Sequence, residues 1–455
     1  MTSNEHLVVG AGISGLAAAL LLARAGRRVR VIDRSHHPGG LAGAELFRGV
    51  PCDLGSHRLH PEALDRPLFK EIHASAPFAH RPRRGVLLFA DRRLAYPPDA
   101  LSMLRALGPG AGLSLGAGLL ASAARRRAFT AWDRDRPLRD DEPDQGFERF
   151  VIERVGEPAY HAFYRPYAEK VWGLHPAELS QSVAKRRIST TRPWALARDV
   201  IGRAASLLEG ATSDERSPGF IYPVNGVSSI IAWLEARLAE RDVPIERGRA
   251  FDPRTPRPAL TLYAGDLRDL VPTPLEHRGL YLVWLAFAVD RLAEPETYYS
   301  PDARHHFGRV SEIQNYSPAL RRPGETILCV EIPEGRWGSN EDFTRGKQGE
   351  ALLAQLAQAG LVPRGHAPIE RRQRFLPGVY PLYRRGWLAE WRAAMRRVID
   401  LGNVLPFGRQ ALFLHVNLDH CVDIAECAVA HVEAGKSVEA WVDEAERYLE
   451  IRVRD

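Results

Sequence analysis

The stretch from His6 to Asp33, HLVVGAGISGLAAALLLARAGRRVRVID, constrains the fold more than any other part of this chain. It reads as an apolar strand, a glycine turn, an apolar helix and a second strand that stops on an acid. Gly10 permits the tight turn out of the strand, Gly12 leaves the backbone bare for a diphosphate, and Gly15 lets the helix pack closely on the sheet. The helix, expected from about Ser14 to Ala25, aims its unpaired amides and positive dipole end at that diphosphate. Gly26 ends it. RRVRVID then reads as a buried strand whose last residue, Asp33, can accept both hydroxyls of an adenosine ribose and would repel a ribose phosphate. A lone GxGxxG arises by chance in glycine-rich turns. Here the flanking strand, helix and acid all stand at the required spacing, so a dinucleotide site is expected rather than a glycine-rich connection in an ordinary α/β sheet.

The segment HPGGLAG, starting at His37, supplies a second close backbone approach at Gly39 and Gly40. FAD needs one, because its diphosphate and ribitol continue past the first loop, and NAD does not. The order of elements resembles the amine oxidase and protoporphyrinogen oxidase superfamily of flavoproteins. PCDLGSHRLH (Pro51 to His60) is similar to the DxGxH segment those proteins place beside the flavin. The resemblance implies FAD as cofactor and an α/β fold: a Rossmann-like FAD-binding domain of the GR2 type, a β-sheet substrate domain and a helical insertion. It implies cofactor contacts at Gly10, Gly12, Ser14, Gly15, Asp33, Arg34, Gly39, Gly40, Leu41, Gly55, Ser56, His57, Ala250, Arg409, Asn417, Leu418 and Asp419.

With 455 residues the chain can bury a large core in two or three domains. The expected division is a discontinuous FAD-binding domain (1–75, 215–275 and 400–455), a substrate-binding sheet (76–100 and 276–399) and a helical domain (101–214). Within these, RGVLLFADRRLAYPP reads as a hairpin turning at Asp91 and Arg92, and YLVWLAFAVD and ETILCVEI as strands. The four cysteines, Cys52, Cys329, Cys421 and Cys427, have no CxxC spacing and fit buried thiols in a reducing cytoplasm, not disulfides or a metal site. No charged-then-apolar leader precedes the first strand, so secretion is not expected. The apolar run Leu113 to Ala124, followed by Arg125, Arg126 and Arg127, is too short to span a bilayer and reads as a packing face of the helical domain. A net charge of +6, carried mostly by arginine, fits an anionic small-molecule ligand, although solvated faces absorb most of it. No nucleic-acid partner is expected.

YRPYAEKVWGLHPAELSQSVAKRRI, from Tyr164 to Ile188, resembles the helix and loop of UDP-galactopyranose mutases and their flavoprotein relatives. In those mutases a YxxKxWGxxPxEL run leads, fourteen residues after the tryptophan, to an arginine that holds the substrate diphosphate. Here that position is Arg186; related oxidoreductases place their arginine one later, which is Arg187. Trp172 offers a flat face for a sugar or base, and arginine a bidentate fork for a diphosphate. YPVNG (Tyr222 to Gly226), GRVSEIQNYSP (Gly308 to Pro318), VYPLY (Val379 to Tyr383) and FGRQALF followed by NLDH extend the resemblance. It implies catalytic roles for His57, Arg186, Arg187 and Tyr380, and substrate contacts for Trp172, Tyr167, Tyr222 and Tyr383. Taken singly, each tyrosine could equally be packing. NVLPFGRQALFLHVNLDH is expected to lead into a helix near Asn417 to Asp419, with Asp419 as its cap and its N-terminus on the flavin pyrimidine.

Two departures stand out. Ser56 replaces a glycine of the DxGGHR pattern. A three-stranded meander that follows PIERGRAF in relatives is missing, with lower cofactor affinity as its expected effect. The leading expectation is an FAD-dependent oxidoreductase acting on a small, sugar-containing or anionic metabolite, with hydride passing to flavin N5. The alternatives are a non-redox pyranose-furanose mutase of a nucleotide sugar, and a degenerate flavoprotein with a partner role.

Overall fold

The computed structural model describes residues 5–96, 100–108, 144–187, 219–255, 260–335 and 337–451, with positions 110, 114, 117, 118 and 453. Most of Leu113 to Ala124, Arg125 to Arg127 and the rest of the expected helical domain between 119 and 143 and between 188 and 218 lie outside the described residues.

A five-stranded sheet carries the glycine loop. Its order is Val404–Pro406, Thr261–Tyr263, Glu5–Val9, Arg28–Asp33 and Ile245–Arg247, with every pair parallel. Parallel strands need crossover connections. The first is the helix Ile13–Arg24, one residue earlier at each end than expected. Its residues from Ile13 to Leu20 are all buried. A helix apolar on every side must be covered on every side. The sheet lies on one side, and the helices Leu418–Glu433 and Ser228–Ala239 pack against it as well. Among the described residues no strand intervenes between Arg247 and Thr261, so the meander is missing from the fold as it is from the sequence.

The second sheet has seven strands, in the order Glu370–Pro381, His277–Phe287, Thr326–Pro333, Arg309–Glu312, Thr297–Tyr299, Gly85–Phe89 and Arg92–Tyr96. All its pairs are antiparallel except Thr297–Tyr299 with Gly85–Phe89. Strand His277–Phe287 is buried on both faces because alternate residues serve two cores. Leu280, Leu282, Trp284 and Ala286 join the large core shared with the first sheet. Tyr281, Val283, Leu285 and Phe287 join a smaller core with Leu352 and Leu356 of the helix Gly346–Gln358. The hairpin 85–96 turns at Ala90 and Asp91, both at positive φ (50° and 57°), and not at Asp91 and Arg92. Two-residue hairpin loops require that left-handed pair, so alanine here adopts a conformation that propensity alone would not assign to it.

The helix Arg165–Trp172 is fastened to the second sheet by Lys170, whose Nζ donates to the carbonyls of Ser300 (2.9 Å), Phe307 (2.9 Å) and Asp302. No helix among the described residues is long and apolar enough to cross a membrane.

The tightest approach in the first crossover is at Gly15, where an added Cβ would stand 1.8 Å from the Gly10 carbonyl oxygen. Gly15→Ala is therefore expected to force the helix off the sheet and lower stability by roughly 2–4 kcal/mol, read by chemical denaturation; an unchanged midpoint and slope would refute this packing.

Candidate dinucleotide and substrate site

The two sheets enclose a cavity of about 710 Å³, within the range that holds a large cofactor with a small ligand. The glycine loop forms one end. Gly10, at φ +104°, turns the chain sharply, and its amide donates to the Ile32 carbonyl (2.8 Å). Gly12 caps the helix Ile13–Arg24 without a side-chain hydrogen bond, leaving first-turn amides for an anion. An added Cβ at Gly12 would meet only the Gly39 oxygen, at 3.8 Å, so the space in front of it belongs to the cavity. Gly39 and Gly40, at φ +92° and +54°, bring the second loop alongside, and the Gly39 amide donates to the Ala11 carbonyl (2.9 Å). Gly10, Gly12, Ser14, Gly15, Asp33, Gly39, Gly40 and Leu41 all line this end. The Asp33 carboxylate accepts the amides of Ala11 (2.6 Å) and Ser35 (2.7 Å), one on each oxygen. Its remaining lone pairs can still take ribose hydroxyls. Ala250 and Arg34 also line the wall, Arg34 from the rim, paired with Asp269 at 2.5 Å.

The helix Leu418–Glu433 points its N-terminus at the same cavity, and Asn417 and Leu418 line it. The expected cap is corrected: Asn417, not Asp419, caps the helix, in a reciprocal box with His420. Asp419 is not on the wall. It is buried, with one carboxylate oxygen 3.5 Å from Arg66. Arg409 does line the cavity. It spends two donors on the carbonyls of Val416 and Val379, both at 2.6 Å, and so fixes two loops relative to each other.

Gly55, Ser56 and His57 form the middle of the cavity. Gly55 has φ +109°. The Ser56 amide donates to Glu331 (3.0 Å), which also holds Arg309 through two hydrogen bonds at 2.7 and 2.6 Å. Arg309 lines the cavity; the sequence marked its segment but not the residue, and an isolated arginine in a strand carried no signal for it. The Ser56 hydroxyl, absent from the glycine pattern, is taken up by the Tyr316 hydroxyl, which also meets Thr297 (2.6 Å). The departure at Ser56 is thus absorbed by the protein's own network. Burial, with the Arg309 and Arg409 cations, draws the His57 pKa down to about 4, so its ring is neutral at pH 7. Its Nε2 is buried without a hydrogen-bond partner among the described residues.

Of the expected catalytic and substrate residues, Tyr380 lines the cavity. Tyr222, Tyr383, Trp172 and Tyr167 lie off its wall. The Tyr222 hydroxyl donates to Asp53 (2.5 Å), and its ring stacks on Tyr316 (5.1 Å). The Tyr383 hydroxyl donates to the Phe413 carbonyl (3.1 Å) and accepts the His415 amide (3.0 Å). Trp172 is buried edge-on to Tyr380 (5.8 Å) and His415 (6.1 Å), behind the wall. Tyr167 stacks on Phe163. Tyr222, Tyr383 and Trp172 are buried and already fill protein interior, whereas Tyr167 is half-buried. Arg186 and Arg187 end the helix Gln181–Arg187, and their side chains lie outside the described residues. Among the described residues no cluster of three His, Cys, Asp or Glu side chains is placed to hold a metal.

Comparison with known proteins defines the class first. Residues 8–71 match the NAD(P)-binding Rossmann-like domain family, so this part of the chain is a dinucleotide-binding domain. The chain has the fold of UDP-galactopyranose mutase and of amine oxidases. It is similar to reduced UDP-galactopyranose mutase (TM-score 0.79, 18% identity, covering 100% of this chain and 98% of the other). It is also similar to cyclohexylamine oxidase from Brevibacterium oxydans IH-35A (TM-score 0.65, 15% identity, covering 95% and 99%). In sequence, dTDP-fucopyranose mutase of Escherichia coli is 28% identical over 192 residues, which is 40% of this chain and 45% of that protein. The match thus spans less than half the length of that relative.

Two predictions follow from the geometry. Gly12→Val meets open space in the protein, so it is expected to leave the melting temperature of the cofactor-free chain nearly unchanged while abolishing dinucleotide retention; a variant that still copurifies with chromophore would contradict the loop's placement. The second concerns Asp53, fully buried, whose pKa burial raises to about 7 against the hydrogen bonds from Tyr222 and the Val227 amide. The unfolded carboxyl ionises near 3.9. Between these values the folded state holds the extra proton, so stability falls as pH rises. The parent is expected to lose roughly 1–4 kcal/mol relative to Asp53→Asn from about pH 4 to about pH 7, seen as a pH-dependent difference in Tm; a difference that stays flat would place Asp53 in a less buried setting.

Proposed function

We propose that this chain is an FAD-dependent oxidoreductase acting on a small, sugar-containing or anionic metabolite. The observation that carries the reading is the continuous cavity. It runs from two glycine loops and a bare helix N-terminus, past the neutral His57, to a wall containing Tyr380, Arg309 and Arg58. Open amides suit a diphosphate, the Asp33 carboxylate a ribose, the N-terminus of helix Leu418–Glu433 the electron-rich end of a flavin, and the orphaned His57 Nε2 a polar group beside it. When bound, FAD would accept a hydride from a substrate carbon and so carry the electron chemistry.

The chain's own share is binding, orientation and exclusion of water. Gly10, Gly12, Gly39 and Gly40 admit the cofactor backbone. Arg409, by gripping the Val379 and Val416 carbonyls, sets the position of Tyr380 relative to the helix N-terminus. Neutral His57 can donate or accept one hydrogen bond without adding charge near the reacting centre. Arg309, neutralised by Glu331, turns a fixed dipole toward the cavity at little reorganisation cost. No strong base is required of any of these side chains.

A second reading, a non-redox pyranose-furanose mutase of a nucleotide sugar, is favoured by the whole-length likeness to UDP-galactopyranose mutase. Against it, Trp172 stands behind Tyr380 and offers no exposed face to a sugar or base.

The experiment is a visible spectrum of the purified protein with the released chromophore identified by mass, followed by anaerobic mixing with nucleotide sugars and other anionic sugars. A flavin spectrum bleached by one of these compounds is the expected result. Sugar isomerisation that proceeds only after chemical prereduction, without net oxidant use, would replace the oxidoreductase reading with the mutase. A colourless protein that takes up no added FAD would remove both.

A further inference from the structure

A second, smaller pocket of about 130 Å³ lies on the other side of Phe220 from the main cavity, since Phe220 lines both. Its wall carries Arg81, Arg84, Arg291, Glu294, Glu296 and Asn315, and the Arg321 cation acts on Arg81 from nearby.

The charges there do not balance. Exposed Glu294 is shared between Arg84 (3.4 Å) and Arg291 (2.5 Å). Glu296 is committed elsewhere: both of its oxygens accept the Arg84 backbone amide (3.2 and 3.1 Å), and it faces Arg58 of the main cavity at 3.6 Å. Arg81 has no carboxylate partner among the described residues, and a single hydrogen bond to the Asn315 carbonyl (3.1 Å) holds it. Burial and the cations of Arg321, Arg84 and Arg291 all push its pKa down, against the pull of Glu296. Three guanidiniums therefore line a small opening in which Glu294 serves both Arg84 and Arg291, and among the described residues Arg81 is left without a carboxylate. Like charges at such range repel unless an anion joins them.

The opening is also rigid. Buried Glu312 accepts the amides of Leu292 and Ala293 (both 2.9 Å), the Asn315 side chain (3.1 Å) and the Thr326 hydroxyl (2.7 Å), and so fixes the loop that presents Arg291. Arg291 is further tied to the Ala293 carbonyl at 2.7 Å. A guanidinium fork held in place loses little freedom on meeting an oxyanion.

We propose that Arg81, Arg84 and Arg291 form an anion site, separate from the dinucleotide cavity, that takes a phosphate group, either free or as the phosphomonoester of a metabolite. The site does not depend on which reaction the main cavity performs. Only the Phe220 wall and the Glu296 carboxylate, poised between Arg84 and Arg58, connect the two.

The test is titration of the full-length protein, loaded with its dinucleotide, with inorganic phosphate by calorimetry, and in parallel with phenyl phosphate, at ionic strength held constant with chloride. Saturable binding is expected, weakened about tenfold or more in Arg81→Gln and in Arg291→Gln. Both variants should keep their far-ultraviolet spectrum and their bound chromophore. Two variants on different segments, Arg81 at a strand end and Arg291 on a loop, guard against one failing to fold. Equal or tighter binding of phenyl phosphate would identify a phosphorylated metabolite as the ligand, and tighter binding of inorganic phosphate the free ion; both support the site. Absence of saturable binding, or binding that neither substitution weakens, would overturn it.

Discussion

The rest of the structure depends on the tie between Asp33 and the glycine loop. Each carboxylate oxygen holds one amide, Ala11 on the first strand's exit and Ser35 after the second strand's end. The Ala11 bond joins the two strand ends while the Ser35 bond holds the carboxylate in place, and Gly15, with no room for a Cβ against the Gly10 carbonyl, then fixes the helix on the sheet. A charge-assisted bond in a partly buried place holds geometry better than a neutral one. Once the loop is set, its open amides and those of helix Leu418–Glu433 converge on one volume, and the second sheet only has to close it.

Closure is done by an ion pair. Arg309 and Glu331 sit on neighbouring strands of the seven-stranded sheet, and Glu331 also takes the Ser56 amide. A buried pair of this kind adds little net stability, since desolvation offsets much of the attraction, but removal of one partner strands a charge. Its consequence here is positional: it fastens the His57 segment of the dinucleotide side to the sheet that supplies Tyr380. The same two cations, Arg309 and Arg409, with burial, keep His57 uncharged.

Local patterns made the first sheet and cofactor end legible. Gly10, Gly12, Gly15, Gly39 and Gly40 are each required by a positive φ, a close approach or an open face, and such demands leave a mark in sequence. All the expected cofactor residues but Asp419 reach the wall, and the cap fell on Asn417 because acid and amide caps are interchangeable in a pattern while only Asn417 sits at the cap position. The aromatic residues of the resemblance lie off the wall for a different reason. Tyr222, Tyr383, Tyr167 and Trp172 have large apolar bodies that the interior takes as readily as a ligand would. No spacing rule separates a ring on the wall, such as Tyr380, from a ring one layer behind it. Arg309 was invisible because its meaning comes from Glu331, 22 residues away.

The missing meander shows how the fold meets a deletion. Without extra strands the sheet ends at the three-residue edge strand Ile245–Arg247, and short edges invite little stray pairing. The chain beyond it is brought back by two backbone bonds, Gly248 to the Ser35 carbonyl (3.2 Å) and Arg249 to the Asp33 carbonyl (2.8 Å). Ala250 and Phe251 thereby reach the cavity wall, with Phe251 against Tyr263 at 5.4 Å. The Asp33 end of the cavity is thus covered by a segment anchored on the main chain of Asp33 and Ser35. Loss of the meander need not open the cavity, because the main-chain groups of residues 33 and 35 stand in for a strand.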